Sequence, residues 1–463
     1  MIIKSFSTIT IFLTYYAYSD TELSDSLSTY LLLERSNSPY IVTGTFLITG
    51  DGVLESEPGV EIRFDTTKNE GLGANIYNKG TINIQGAEAE PIIFKSIDQG
   101  RDTSWQGIAC DSASESFFNY VIIQDSYSGL NFYKTNGEIK NSIIRNNYFS
   151  VTCFGENEDN SRPPKILEIN YCTIDSNSRG IYTDDSTTII VLNSKFINNE
   201  GDAISMHSFE HALFINNLIM GNRTGITADN FSQVTLINNT IIYNVKGIDL
   251  FDFTVPYLYN NVIGFNINYN IELDASMNTI ISHNLIFGHD STVIISGDTL
   301  EGLRRNTMVN DNDDSCDVYY NLSISPLFED STGFSYAISS PIWNAGLPEI
   351  SIEEDTLPNE IFPAVNIYVK RDSFNICEPH IGASENEVLC FSSPIEGIDS
   401  KIKNKKHNYR LKLGNNKNSV GKLFFINGRI VQQEKNSASP FHLIINENDI
   451  NKSEQTKPKD YVD

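Results

Sequence analysis

An acidic and amide series recurs through the middle of this chain: Asp185, His207, Asn230, Asp252 and Asp274, with Asp184 and Asp229 one residue ahead of two of them. Each member follows an apolar anchor by eleven residues, the anchors being Ile174, Phe196, Ile219, Ile241 and Ile263. Carboxylates stacked in register repel one another and rise in pKa unless a cation or a hydroxyl network intervenes. Asp252 and Asp274, with Asn230 as a neutral ligand between carboxylates, therefore read as a Ca²⁺ site of oxygen donors. The same column could work on a glycosidic bond. Carboxyls on adjacent or alternate coils bracket the separations of retaining and inverting hydrolases. In that reading Asp184, Asp185, Asp252 and Asp274 are the acids and His207 is a general base beside Asp185. The plain alternative is that Asp and Asn occupy a turn that favours them.

A second group suits a lyase, which needs cations for a uronate carboxylate and a base. Arg162, Lys165, Arg179 and Tyr182 lie on or near an insertion, Gly155 to Lys165, and with Asn230 they are the expected substrate contacts. His207, Glu210 and His211 spell H-x-x-E-H, an inverted zinc-hydrolase motif. Here it falls between two strand-like runs, so the helix which that motif requires is missing.

These side chains need a scaffold that repeats as they do. The anchors Ile123, Ile144, Ile174, Phe196, Ile219, Ile241, Ile263 and Ile286 are 21, 30, 22, 23, 22, 22 and 23 residues apart. Such a period is too short for a helix pair and suits one coil of a β-solenoid. The recurring phrase is N-N-x-I-x-x-N-x-x-G-I, with strand-like alternation around it. Three residues past the anchors stand Asn147, Asn177, Asn199, Asn222, Asn244 and Asn266. Stacked about 4.8 Å apart, they are expected to form an amide ladder. Gly129, Gly180, Gly225 and Gly247 are expected where the backbone bends between strands.

The chain has 463 residues and a formal net charge of −26. That balance excludes nucleic acid as a partner, because phosphate binding needs a basic surface. The charge is uneven: Lys401 to Lys435 holds ten cations against Glu434 alone, which marks a boundary near residue 395. Residues 1–19 read as an export signal, with Lys4, an apolar run and Ala17-Tyr18-Ser19 ahead of Asp20. No later stretch is long enough for a transmembrane helix. Six cysteines fit an exported protein, and Cys377 with Cys390 is the expected disulfide by proximity. Free buried thiols are the alternative.

Several phrases resemble secreted bacterial right-handed parallel β-helix proteins of the pectate-lyase-like superfamily. At the entry they are Pro58 to Phe64, Gly80 to Gly86, Pro91 to Ser96 and Trp105-Gln106-Gly107-Ile108. At the exit they are Ser325-Pro326-Leu327-Phe328, Ser340 to Gly346 and Ile381 to Glu385, with Ser325 and Ser384 departing from the usual Asp and aromatic. The resemblance covers about residues 38–386. It implies the fold and its handedness, and a C-terminal anchoring or sorting region. It implies little about activity, since polysaccharide lyases and hydrolases share the fold with proteins of unproven activity.

The resulting expectation is an all-β right-handed parallel β-helix with a small C-terminal β-module. Its parts are a signal at 1–19, an N-terminal cap at 20–37 containing a short helix over Ser24 to Arg35, the β-helix at 38–320, closing coils at 321–395, and a basic β-module with tail at 396–463. In that module Asn427-Gly428 turns a hairpin, flanked by strands at Tyr409 to Leu413 and Phe441 to Ile445. Without a complete catalytic set, the expected role is a secreted or cell-surface protein. It binds an extracellular glycan or acts as a spacer or adhesin, and its tail engages secretion or anchoring machinery. The alternative is a polysaccharide lyase or glycoside hydrolase. Ca²⁺ is the only cofactor suggested.

Overall fold

In a computed structural model the chain is a parallel β-solenoid. The structure describes residues 20–352 apart from 68–72, 99–104, 156–164, 274–277, 289–292, 329–336 and isolated positions, and four strands beyond them. Each coil gives one short strand to each of three parallel sheets, of 12, 12 and 11 strands. We call these sheets I, II and III in the order the chain visits them. The anchors lie on sheet I, where Ile123 pairs with Ile144, Ile144 with Ile174, and so on to Ile263 with Ile286. The architecture is the right-handed parallel β-helix.

Alternation on each strand sends one set of side chains inward. Ile174, Phe196, Ile219 and Ile241 from sheet I meet Ile181, Ile204, Ile226 and Ile248 from sheet II and Val191, Phe214, Leu236 and Leu258 from sheet III in one continuous core. The polar corners are closed by two ladders. In the first, the Asn177 amide donates to Asn199 Oδ1 (3.1 Å), Asn199 to Asn222 (2.9 Å), Asn222 to Asn244 (3.0 Å) and Asn244 to Asn266 (3.2 Å). Each side chain also donates to a carbonyl of the coil before, as Asn222 does to Phe196 O at 3.0 Å. The second runs through Asn217, Asn239, Asn261, Asn284 and Asn321. It ends on the buried carboxylate of Asp317, which accepts from Asn321, Tyr319 and Arg304 backbone N–H groups. A carboxylate is a suitable terminus because it accepts without needing to donate.

The recurring N-N pair thus has two jobs. Its second Asn builds the second ladder, while its first adopts a left-handed conformation at the corner (Asn216 φ 57°, Asn238 φ 55°, Asn260 φ 57°). Asn tolerates that region better than most residues.

Several expectations are corrected. Ser24 to Arg35 is not a helix: it contains strands Ser26–Leu27 and Tyr30–Leu33, so residues 20–37 make the first coil, which ends in a one-turn 3₁₀ helix at Arg35–Asn37. Gly129, Gly180, Gly225 and Gly247 do not mark bends: each lies within a strand of sheet II, and a Cβ at Gly225 would lie 2.5 Å from Gly247 O of the next coil. The four cysteines among the described residues, Cys110, Cys153, Cys172 and Cys316, are buried, as in the alternative of buried thiols. Cys377 and Cys390 lie outside the described residues, as do residues 1–19 and the strand expected at 441–445.

The exit phrase folds back along the outside of sheet I. Ile342 and Ala345 pack with Leu322 and Cys316 over Ile242, Val262 and Leu285, and Leu347 exchanges hydrogen bonds with the Asn260 side chain. Further along, strands Glu349–Ile352, Val365–Tyr368, Asn408–Leu413, Lys422–Ile426 and Arg429–Gln433 form an antiparallel sheet. Ile426 pairs with Arg429, the register of a two-residue hairpin.

Candidate functional site

The chemistry gathers on the outward face of sheet II. Along that face the register runs Tyr77, Ala109, Asn131, Thr152, Tyr182, Ser205, Thr227, Asp249, Glu272. A second row runs Asp111, Tyr133, Phe154, Asp184. Ladder hydrogen bonds from His207 N to Thr183 O and from Asp229 N to Met206 O extend it to His207 and Asp229.

The first half of this face is an aromatic groove of about 660 Å³, lined among others by Tyr77, Asp111, Asn131, Tyr133, Phe154 and Tyr182. Tyr133 and Phe154 stack at 5.2 Å, Phe154 meets Tyr182 at 5.8 Å, and Tyr182 meets the His207 ring at 5.1 Å. A second stack, Tyr127 on Tyr148 at 5.2 Å, stands on the groove rim, with Tyr127 49 % and Tyr133 39 % exposed. Exposed aromatic stacks also occur elsewhere, as Phe231 on Phe253 and Tyr243 on Phe265; what sets these apart is that they line a groove. The Tyr77 hydroxyl donates to Asp111 Oδ2 at 2.5 Å. That bond holds the Asp111 carboxyl below its ordinary value and, with burial, pushes Tyr77 up to about 12.

Beyond the groove the face turns titratable. His207 Nδ1 lies 2.6 Å from Asp229 Oδ2, and His207 Nε2 lies 2.8 Å from Ser205 Oγ. Asp229 Oδ1 accepts from the Asn230 amide at 3.0 Å, so both carboxylate oxygens are engaged. One coil on, Lys246 Nζ pairs with Asp249 Oδ2 at 2.9 Å and sits over the Tyr269 ring.

The expected carboxylate column is rearranged. Asp185, Asn230 and Asp252 lie at the bend after sheet II with positive φ (64°, 49° and 52°). His207 is not among them: in its coil the bend residue is Ser208, φ 68°. Five positions separate Asn199 from Ile204, where four separate Asn177 from Ile181 and Asn222 from Ile226. The extra residue near Gly201 shifts His207 onto the flat of the sheet, in line with Asp184 and Asp229 rather than Asp185. Asp252 is exposed, and Asp274, Arg162 and Glu210 lie outside the described residues. Arg179 and Tyr182 are on the face, Arg179 over the Phe149 ring at 5.6 Å. Among the described residues no group of three or more His, Cys, Asp or Glu is placed to hold a metal ion. Sequence reasoning missed Ser205, Asp229 as the partner of His207, and the Tyr133–Phe154 stack. The available signal was Ser-x-His on a strand, which puts both side chains on one face.

A further titratable group stands on sheet III. Glu168 lies in register between Glu138 and Ile190, and its Oε1 is enclosed without a hydrogen-bond partner. Burial pushes its carboxyl up to about 7, with Lys140 opposing and Glu138 reinforcing the rise. The neutral form is therefore favoured by the fold. Its contribution is fully present below the unfolded value near 4.3 and is lost as pH rises through the folded value. The span corresponds to at most about 4 kcal/mol. Glu168→Gln is expected to stabilise the protein at pH 8 relative to pH 5 when each is compared with wild type by urea denaturation. Identical pH dependence in both proteins would show that the carboxyl ionises freely.

Residues 157–313 match the family model described as right handed beta helix region. Among solved structures, the chain is similar to a point mutant of the periplasmic alginate epimerase AlgG, at 15 % identity and TM-score 0.42, covering 53 % of this chain and 64 % of the epimerase. It is also similar to pectate lyase Pel9A, at 15 % identity and TM-score 0.36, covering 74 % of this chain and 88 % of the lyase. These likenesses concern the fold. No curated protein matches the chain. No helix among the described residues is long and apolar enough to cross a membrane.

Proposed function

We propose that this protein binds a polysaccharide along the outward face of sheet II, as a secreted or surface-displayed β-helix. The supporting observation is the open groove in which exposed aromatic rings alternate with hydroxyl, amide and carboxylate groups. Such a surface offers apolar ring area to the C–H faces of sugars and polar groups to their hydroxyls. An open groove along the coil axis also fits a linear chain better than a compact ligand.

Charge narrows the glycan. Asp111, Asp184, Asp229, Asp249 and Glu272 outnumber Lys79, Lys134, Arg179 and Lys246 on or beside this face. A polyuronate would be repelled, so the expected ligand is an uncharged polysaccharide. The test is affinity electrophoresis of the full chain in gels containing neutral or uronate polysaccharides. Wild type is expected to be retarded by a neutral glycan. Tyr133→Ala is expected to weaken retardation at least about 10-fold, the scale of a lost aromatic anchor. Retardation by polyuronates alone, or unchanged retardation in Tyr133→Ala, would defeat this reading.

A further inference from the structure

Ser205, His207 and Asp229 are arranged in the order nucleophile, base and orienting carboxylate. Ser205 and His207 alternate on strand Asp202–Met206 and the residue after it, so both lie on the outward side of the sheet, Ser205 with only 7 % of its surface exposed. Asp229 reaches His207 from the next coil. A neutral imidazole facing a carboxylate at Nδ1 carries its proton there, which leaves Nε2 as an acceptor. The atom at Nε2 is Ser205 Oγ, at 2.8 Å. The proton that His207 is placed to take is therefore the serine hydroxyl proton, rather than one on a bound sugar. The His207 side chain is 25 % exposed and that of Asp229 10 %, so the base meets solvent while its orienting group is held inside. Asn230, bonded to the other carboxylate oxygen, is a positioning residue.

We propose that this relay cleaves carboxylic esters, and that its substrates are ester substituents on the glycan held in the neighbouring groove. The choice of substrate rests on the glycan reading above; the relay itself does not. Ser205 pairs in register with Tyr182, the last groove residue on its row, so the hydroxyl stands one coil beyond the groove. In the first step Oγ attacks the ester carbonyl carbon as His207 Nε2 takes its proton. The tetrahedral adduct expels the sugar alkoxide, which receives that proton from His207, and the acyl group remains on Ser205. Water then attacks the acyl-serine, gives a proton to His207, and releases the carboxylic acid as Oγ is reprotonated.

The ladder limits the rate. The backbone N–H of His207 donates to Thr183 O and that of Asp229 to Met206 O, so neither is available to an oxyanion. Loss of one such donor costs about 10²–10³ in rate, and turnover is expected to be slow. A covalent trap is accordingly the suitable readout.

The full chain is treated with an alkyl fluorophosphonate, in which Oγ displaces fluoride from phosphorus, and the adduct is located by peptide mass spectrometry. One adduct on Ser205 is expected. His207→Gln is expected to slow labelling at least about 100-fold, the scale of a general base. Asp229→Asn is expected to slow it similarly by reversing the tautomer, with the thermal melt of the solenoid retained. Absence of an adduct on Ser205 in wild type, or equal labelling in folded His207→Gln, overturns the proposal and leaves three polar groups that only satisfy one another. Should Asp229→Asn unfold the coil, His207→Gln carries the test alone. Labelling without glycan retardation sinks the glycan reading and keeps the relay; retardation without labelling does the reverse. With both in place, an O-acetylated neutral polysaccharide is expected to release acetate with wild type and not with Ser205→Ala.

Discussion

Gly107→Ala is expected to destabilise the solenoid by at least about 4 kcal/mol, beyond the range of ordinary point substitutions. Gly107 has φ +115°, a region that L side chains rarely adopt, and a Cβ built on it would lie 1.6 Å from Ser128 O. The contact is backbone on backbone, so no side chain can move aside. The register between these two coils shifts at Gly107/Ile108, and the irregularity brings Ser128 O against the glycine. The neighbouring Trp105 is fixed by its Nε1–H bond to Gln124 O (3.0 Å) and by stacking on Phe64 (3.8 Å), which prevents the strand from sliding. Gly107 also lines the groove, so glycan retardation should fall with stability. Gly44→Ala is the control, because nothing lies within 4 Å of its added Cβ. Urea midpoints for both variants decide the matter. A Gly107→Ala protein as stable as wild type would mean that the shifted register is not the native one.

The second large effect concerns the first amide ladder. Asn222 Oδ1 accepts from both the backbone N–H and the side-chain amide of Asn199, each at 2.9 Å. Its own amide donates to Asn244 Oδ1, Phe196 O and Met220 O. Asn222→Leu removes all of these and strands the partners in a corner where Asn199 and Asn244 are also buried. Each stranded group costs about 1–3 kcal/mol, so a total of at least about 3 kcal/mol is expected. Asn222→Asp should also destabilise at neutral pH: it keeps the acceptor side of the rung but sets a buried carboxylate oxygen against Asn244 Oδ1, Phe196 O and Met220 O, all of them acceptors. Thermal melts of both variants read the difference. If Asn222→Leu melted with wild type, the ladder would be solvated and its contribution to stability small.

The fold was legible because stacking repeats the same physical demand on every coil. An interior position must be apolar and a corner amide must find an amide above it, so the anchor Ile and the Asn three residues on recur together. The second ladder stood in the same phrase, as Asn217 and Asn239, yet periodicity alone does not say which member of an N-N pair turns inward. The site was less legible, because it depends on alignment between coils to the single residue. One extra position near Gly201 moves His207 from the bend to the flat of sheet II, and counting from the anchors hides that shift. The bend residues Asp185, Asn230 and Asp252 were prominent as types and owe their place to left-handed backbone. Ser205 carried no signal in isolation: a serine within an apolar strand gains meaning only when His207 and, one coil later, Asp229 are seen beside it. Tyr133 and Phe154 are 21 residues apart, and only the paired register makes them neighbours.

The outward face of sheet II is the proposed glycan surface. Its most direct test is a crystal structure of the full chain soaked with an oligosaccharide of the neutral polysaccharide that retards it. The predicted result is sugar density running along the coil axis over Tyr127, Tyr133 and Phe154, with its end near Tyr182 and Ser205. Sugar seated instead on the outer faces of sheet I or III, with the groove empty, would contradict it.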